Sequence, residues 1–254
     1  MTRSMALLLA GGCFHVVKPD VELPDDPAAG AFPHEILDGV LKTHVTPEGK
    51  VDYKSIQSDR GDLDRYTAYL AVVSPHSDPE LFPTKDDQLA YWINAYNALA
   101  ITAVIDRPGL QTVIDNKVDF FYTTRYLLGR EKVSLYALEN GIVRKEFADP
   151  RIHFALNCQS GGCPTLPDTV FPAQGLDAFL EAEATEFANH PGKVNVEGDK
   201  LRLSQIFEWY AEDFAAAGGA AEFVKKYRSD VPATPTVEFI EYDWTLIAQD
   251  GRMP

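Results

Sequence analysis

The residues of this chain best suited to chemistry are two cysteines five positions apart, Cys158 and Cys163, and a histidine, His153, that precedes them. Residues 151–164 begin with alternating apolar and polar residues, which predicts a strand that carries His153 into a glycine loop. The glycines at 161 and 162 allow a tight return of Cys163 toward Cys158 or His153. This geometry fits either a disulfide or a thiol nucleophile beside a base.

Two carboxylates are predicted to point inward. Glu139 falls on the apolar face of a helix predicted to begin after Ser134, and Asp213 lies among the apolar residues of a later helix. A buried carboxylate must be paired or protonated, because an unpaired buried charge is costly. The candidate partners for Glu139 are Arg144, Arg151 and His153.

Residues 88–105 are apolar almost all round, which predicts a buried central helix. Asn94 and Asn97 lie three positions apart on one face of it. A buried amide without a partner costs on the order of 1–3 kcal/mol, so each must form hydrogen bonds. They are predicted either to hold a loop through its backbone or to line a pocket.

The order of elements predicts an α+β fold. Helical patterns dominate before residue 105, and short strands follow, including a hairpin over residues 118–133 and a closing strand over 237–246. We expect a single globular domain with a buried central helix and a small mixed or antiparallel sheet. Trp209, Tyr242 and Trp244 are predicted to be core or pocket-wall aromatics.

Charge and hydropathy limit the partners. The chain of 254 residues has 38 acidic and 23 basic residues, a formal charge of −15, and a pI of about 4.7. Such a field repels phosphate backbones, so no nucleic-acid partner is expected. No stretch of about 20 apolar residues could span a bilayer as a helix, so membrane contact is expected only through a lipid anchor.

The first residues are similar to a bacterial lipoprotein signal. Residues 1–12 are predicted to be that signal, Cys13 the lipidated residue, 13–32 a tether rich in proline and acidic residues, and 33–254 the globular domain. The expected location is the bacterial cell envelope, at the outer membrane, with a cytoplasmic leader as the alternative. An oxidising compartment would favour a bridge between Cys158 and Cys163.

Four stretches together resemble one family. They are residues 91–99, 138–144, 149–164, and 209–214 with 242–244. They look like the signature blocks of the domain-of-unknown-function family numbered five hundred and forty-seven, whose members occur in bacterial envelope proteins and, in plants, beside a leucine-zipper segment. The resemblance implies that these residues share a site, but it names no reaction. Asn140 stands where the family pattern leads us to expect histidine.

The predicted function is the binding of a small ligand or peptide in a polar pocket. The candidate ligand-binding residues are Asn94, Asn97, Arg144, Arg151, Asn157, Ser160 and Asp213. The alternative is a thiol-dependent hydrolase or acyltransferase, with Cys163 or Cys158 as nucleophile, His153 as base, and Glu139 or Asp213 orienting it. No cofactor or metal is predicted, because the cysteine spacing lacks the second ligand pair of a zinc site.

Overall fold

The helices surround one long central helix. In chain order they are α1 (His34–His44), α2 (Tyr53–Ser58), α3 (Gly61–Val72), α4 (Lys85–Ile105), α5 (Leu135–Ala137), α6 (Arg144–Phe147), α7 (Leu176–Asn189), α8 (Ile206–Trp209) and α9 (Ala220–Lys225). Short 3-10 turns occur at Pro79–Leu81, Val113–Asn116, Pro150–Phe154, Ala215–Ala217 and Gln249–Gly251, and π-helical turns at Asp119–Thr123 and Leu138–Val143. None of the described helices is long and apolar enough to cross a membrane.

The strands form two small mixed sheets in the described part of the chain. They are β1 (Val16–Val17), β2 (Arg125–Leu128), β3 (Glu131–Val133), β4 (Val194–Glu197), β5 (Lys200–Ser204) and β6 (Thr236–Ile240). In the first sheet β2 lies between β1, which is parallel to it, and β3, which is antiparallel. In the second sheet β5 lies between antiparallel β4 and parallel β6. The predicted α+β class is therefore confirmed.

Helix α4 is the buried central helix that the sequence predicts. The Thr84 hydroxyl accepts a hydrogen bond from the backbone N–H of Asp87, whose carboxylate accepts one from the backbone N–H of Thr84. This reciprocal cap fixes where the helix begins. Every residue from 89 to 105 is buried. Because the helix is apolar on all sides, other elements must cover it completely, and it packs on α1, α2, α3, α5 and α7.

Two apolar clusters meet at the segment that carries the histidine and the cysteines. The larger cluster surrounds α4 and includes Ile152 and Leu156. The smaller cluster, rich in phenylalanine, packs between α7, α8, α9 and the second sheet, and it includes Phe154, Cys158 and Cys163. The segment is thus held on both sides, which fixes the position of His153 between the two clusters.

The strand predicted for residues 151–157 is wrong. Residues 150–154 form a 3-10 turn, and the chain then runs irregularly to the cysteines. Pro150 begins the turn, and the Asp149 carboxylate accepts a hydrogen bond from the backbone N–H of Arg151. All residues from 152 to 160 are buried, because the two clusters cover the segment from both sides. The alternating sequence therefore does not reflect one exposed and one buried face.

The predicted hairpin is confirmed around its turn. β2 and β3 pair across Gly129 and Arg130, both of which have positive φ angles, 54° and 73°. Such a turn suits the twist of a two-strand hairpin. The first strand is shorter than predicted, because residues 119–123 form a π-helical turn. The closing strand also ends early, at Ile240, and residues 241–246 make only isolated bridges.

The structure is a computed structural model that describes residues 15–19, 21–23 and 26–251. The predicted signal at residues 1–12 and the predicted lipidation site Cys13 therefore lie outside the described residues. Part of the predicted tether lies on the domain. Val16 and Val17 pair with β2, and Phe32 is buried in the larger cluster. These apolar residues gain more from packing than from remaining in solvent.

Candidate functional site

A histidine, a carboxylate and an arginine from three separate segments form one hydrogen-bonded chain. His153 donates from Nε2 to Asp213 Oδ2 at 2.6 Å, and Arg144 donates from Nε and Nη2 to the two oxygens of the same carboxylate at 2.6 and 2.9 Å. These hydrogen bonds, from His153 first and then Arg144, hold the pKa of Asp213 well below its ordinary value. The structure thus brings together three residues that the sequence analysis selected.

Tyr210 links this chain of residues to a second carboxylate. Its ring stacks on His153, with ring centroids 4.0 Å apart, and the Arg144 guanidinium lies 4.8 Å from its centroid. Tyr210 and Glu139 line the same cavity. Burial, and secondarily the charge of Glu139, raises the pKa of Tyr210 well above its ordinary value. Tyr210 therefore remains a neutral hydrogen-bond donor.

Glu139 is buried, with 9% of its surface exposed, and lies on the π-helical turn between α5 and α6. Its Oε2 is 3.4 Å from the Tyr96 hydroxyl on α4. Within the described residues no basic side chain donates a hydrogen bond to it. The partners predicted from the sequence were Arg144, Arg151 and His153, whereas the structure supplies the Tyr96 phenol.

Glu139 forms part of the wall of an aromatic cleft, which consists of an inner cavity and an outer groove. The inner cavity has a volume of about 80 Å³ and is lined by Tyr96, Phe121, Glu139, His153, Leu156, Cys158, Ile206, Trp209, Tyr210 and Trp244. The outer groove, of about 350 Å³, shares Phe121, Glu139, Trp209, Tyr210 and Trp244 with it and adds Lys117, Tyr122, Tyr136, Asn140 and Arg144. The two spaces adjoin at these five shared residues, so they form one candidate binding site.

The rim of the aromatic cleft presents large aromatic side chains to solvent. Trp209 is 44% exposed and stacks on Trp244 with ring centroids 5.8 Å apart. Tyr122 and Tyr136, 40% and 46% exposed, lie 4.7 Å apart by ring centroid. The sequence pattern pointed to Trp209 and Trp244 but not to Phe121, Tyr122 or Tyr136. The aromatic run of residues 120–122 was the available signal.

Cys158 and Cys163 are joined by a disulfide. Cys158 forms part of the inner cavity wall, and the Tyr242 hydroxyl lies 3.2 and 3.1 Å from the two sulfurs. A Cβ at residue 162 would lie 2.6 Å from the Tyr242 ring, so only glycine fits there. The bridge leaves neither sulfur free to attack a substrate, and the thiol-hydrolase alternative therefore has no support.

The predicted amides hold loops and do not line the aromatic cleft. Asn94 bonds to the backbone N–H and C=O of Phe171, and Asn97 bonds to the backbone C=O of Ala155 and N–H of Asn157. The Asn157 side chain in turn donates to the backbone C=O of Pro164. Of the two roles considered for Asn94 and Asn97, the structure shows loop anchoring.

Two more candidates lie away from the cleft. Arg151 donates to Asp149, Asp177 and Glu181, which places its guanidinium against α7. Ser160 is fully buried, with its Oγ 3.0 Å from Cys158 Sγ. Neither residue belongs to the cleft wall. The described residues contain no group of three or more His, Cys, Asp or Glu side chains that could hold a metal ion.

Comparison with known proteins supports the resemblance drawn from the motifs. Residues 81–188 match the model of a family described as "Protein of unknown function, DUF547". The match includes α4, Glu139, His153 and the disulfide, whereas Asp213, Trp209 and Trp244 lie beyond it. No curated protein and no solved structure shows a significant match to the chain.

Proposed function

We propose that this protein binds a small ligand, either free or as one end of a peptide, in the aromatic cleft. The observation that carries the proposal is a buried carboxylate, Glu139, in the wall of a cavity whose rim carries the partly exposed Trp209 and Trp244. Ligand sites combine such apolar walls with a few fixed polar groups. Exposed aromatic groups next to a cavity are also typical of interaction sites.

Binding fits the aromatic cleft better than covalent catalysis. The cleft wall contains no serine or threonine, and Cys158 is in the disulfide. His153 is 3% exposed, donates to Asp213 and is covered by Tyr210 on one ring face. A base in that position has no adjacent nucleophile to activate.

A fragment screen by nuclear magnetic resonance tests this proposal. The chain contains three tryptophans, so each indole N–H can be followed separately in a two-dimensional spectrum. Fragments of neutral, cationic and anionic charge at about millimolar concentration should include ones that shift the resonances of Trp209 and Trp244. Trp92 is 1% exposed on α4 and serves as an internal control. The proposal fails if no fragment shifts either cleft indole.

Two alanine variants test whether a fragment binds in the aromatic cleft. Trp209→Ala should weaken the binding of any fragment that shifts the Trp244 resonance, because the substitution removes one wall of the aromatic cleft. Phe239→Ala removes an equally exposed aromatic ring from β6, since Phe239 is 41% exposed, and should leave the affinity unchanged. Equal loss in both variants would argue against binding in the cleft.

We propose further that the domain works in the bacterial cell envelope, anchored at the outer membrane by a lipid on Cys13. The support is the order of charged, apolar and small residues before Cys13, and a disulfide of the kind that persists in oxidising compartments. In cells, the wild-type protein should partition into detergent and Cys13→Ser should not. A Cys13→Ser protein that still partitions would overturn the anchor.

A further inference from the structure

We infer that the group held in the inner cavity is an alkylammonium cation and that the carboxylate of Glu139 receives it. The inference rests on the proposed function and names the chemistry of its ligand. Three observations support it: a buried carboxylate that forms no ion pair with the described part of the chain, aromatic walls, and a cavity of limited size.

Among the described residues, the carboxylate has a hydrogen bond but forms no ion pair. The Glu139 side chain is nine-tenths buried, and its hydrogen-bond partner within the described residues is the Tyr96 phenol. A neutral phenol satisfies a lone pair but does not neutralise a charge. Two carboxylate oxygens offer about four acceptor positions, so there is room for a further donor. A buried charge of this kind is stabilised most by a cation that also donates hydrogen bonds.

The nearby cations of the protein are engaged elsewhere. The Arg144 guanidinium donates to both oxygens of Asp213 and to Asn140, so its charge acts on Glu139 without a hydrogen bond. His153 donates to Asp213 as well. Lys117 lies in the outer groove, where its ammonium is 5.1 Å from the ring centroid of Trp244. The position beside Glu139 is therefore suited to a cation supplied by the ligand.

The walls and the volume of the inner cavity fit an alkylammonium group. The walls include Tyr96, Tyr210, Trp209 and Trp244, and aromatic faces attract cations. A water-sized group needs about 10–15 Å³, so a cavity of about 80 Å³ holds about five to eight heavy atoms. A short alkylammonium has that size, whereas a sugar ring with its hydroxyls is larger. The rest of a longer ligand would extend into the outer groove.

The matched probes are n-butylammonium chloride and n-butanol, which share a carbon chain and differ in charge. The oxidised protein is titrated with each while the indole resonances of Trp209 and Trp244 are followed. Butylammonium should bind at least about tenfold more tightly than butanol, as expected for a hydrogen bond to a charged group. Equal affinity for the two probes would overturn the inference.

Glu139→Gln removes the charge while keeping the size of the side chain. This variant should bind butylammonium about tenfold more weakly than the wild type does and should bind butanol with unchanged affinity. Glu212→Gln, at an exposed position near Asp213, is the control for net charge and should bind like the wild type. Far-ultraviolet circular dichroism and Tm show whether each variant is folded. Undiminished butylammonium binding by folded Glu139→Gln would also overturn the inference.

Two further results distinguish a free amine from a peptide-borne amine, and failure of the cation inference from failure of the proposed function. N-acetyl-lysine methylamide carries the same ammonium on a peptide unit, so tighter binding than butylammonium indicates a peptide-borne amine, and equal binding indicates a free small amine. Both results support a cation site. If neutral fragments bind in the aromatic cleft of the wild type and Glu139→Gln alike, the cleft function stands and the cation inference fails. If nothing binds, both fail.

Discussion

At the scale of single residues, the Asp213 carboxylate connects two other residues of the candidate site. Its carboxylate receives hydrogen bonds from His153 on one side and Arg144 on the other, and both of these residues pack against the Tyr210 ring. Tyr210 and Glu139 both line the aromatic cleft. A change at Asp213 is therefore expected to reach the aromatic cleft through the position of the Tyr210 ring.

Asp213→Asn should destabilise the protein at neutral pH by about 1–2 kcal/mol, because charge-assisted hydrogen bonds are lost. The native pKa of Asp213 lies below its ordinary value of 3.8, so the ionised form contributes its full stability above pH 3.8. That contribution is lost as the pH falls below 3.8 toward the native pKa. Urea unfolding should therefore show a larger difference in the free energy of unfolding between wild type and variant at pH 5 than at pH 3.

Asp177→Asn is the matched control for this effect. Asp177 also pairs with an arginine, Arg151, but its side chain is 82% exposed. Asp177→Asn should lower the free energy of unfolding only slightly at any pH, because exposed ion pairs contribute little to stability. If the difference in free energy of unfolding between wild type and Asp213→Asn were the same at pH 3 as at pH 5, this would contradict the role given to the carboxylate.

Lys193 is a second residue with a distinct pH response. It is 7% exposed, its ammonium donates to the backbone C=O of Gly161, and burial lowers its pKa to about 8. Between pH 8 and 10.5 the unfolded chain binds more protons than the native one, so stability rises with pH in this window. Over this pH window, the free energy of unfolding measured with urea should rise by at most about 3 kcal/mol more in the wild type than in Lys193→Met. Lys145→Met, at an exposed position, should show no such gain.

At the scale of elements, the disulfide segment and residues 241–246 support one wall of the aromatic cleft together. The backbone N–H of Gly162 donates to the C=O of Asp243, and that of Gly161 donates to the C=O of Thr245. Trp244 lies between these two acceptors along the chain and forms part of the cleft wall. The shape of the glycine loop therefore helps to determine where the Trp244 indole lies.

Loss of the bridge should loosen this wall. Closure of a loop by residues five positions apart is worth about 2 kcal/mol of chain entropy in the unfolded state. Cys158→Ser with Cys163→Ser should lower Tm by about 4–8 °C. It should also shift the indole resonance of Trp244 while that of Trp92 stays in place. Reduction of the wild type with dithiothreitol should match the double variant, and an unchanged Tm in both would contradict this account.

At the scale of the whole molecule, the net charge of −15 favours the approach of cations over that of anions. Most of these charges are on the surface, so salt screens their field, whereas the buried Glu139 is screened much less. The long-range and local contributions to cation binding can therefore be separated by ionic strength.

Raising NaCl from about 0.01 M to about 1 M shortens the Debye length from about 30 to about 3 Å. The affinity for butylammonium should fall several-fold over this range, because the attraction of the surface charges is screened. The ratio of affinities between wild type and Glu139→Gln should change little, because their difference arises inside the cavity. A ratio that falls to one at high salt would assign the binding to surface charge.

The sequence by itself determined the features that depend on local pattern. The α+β class, the central helix α4 and the hairpin turn at Gly129 and Arg130 follow from periodicity, caps and turn residues. The inward direction of Glu139 follows from its place on an apolar helix face. The pairing of Cys158 with Cys163 remained one of two choices, because the same spacing suits a thiol site.

Only the tertiary structure decided what each buried group contacts. His153 and Asp213 are 60 positions apart, and Tyr96 and Glu139 are 43 apart, so no local pattern joins them. The segment that carries His153 is not a strand, because two separate apolar clusters bury it from both sides. Periodicity shows which residues leave solvent, but packing between distant elements selects their neighbours, and those neighbours give the aromatic cleft its shape and charge.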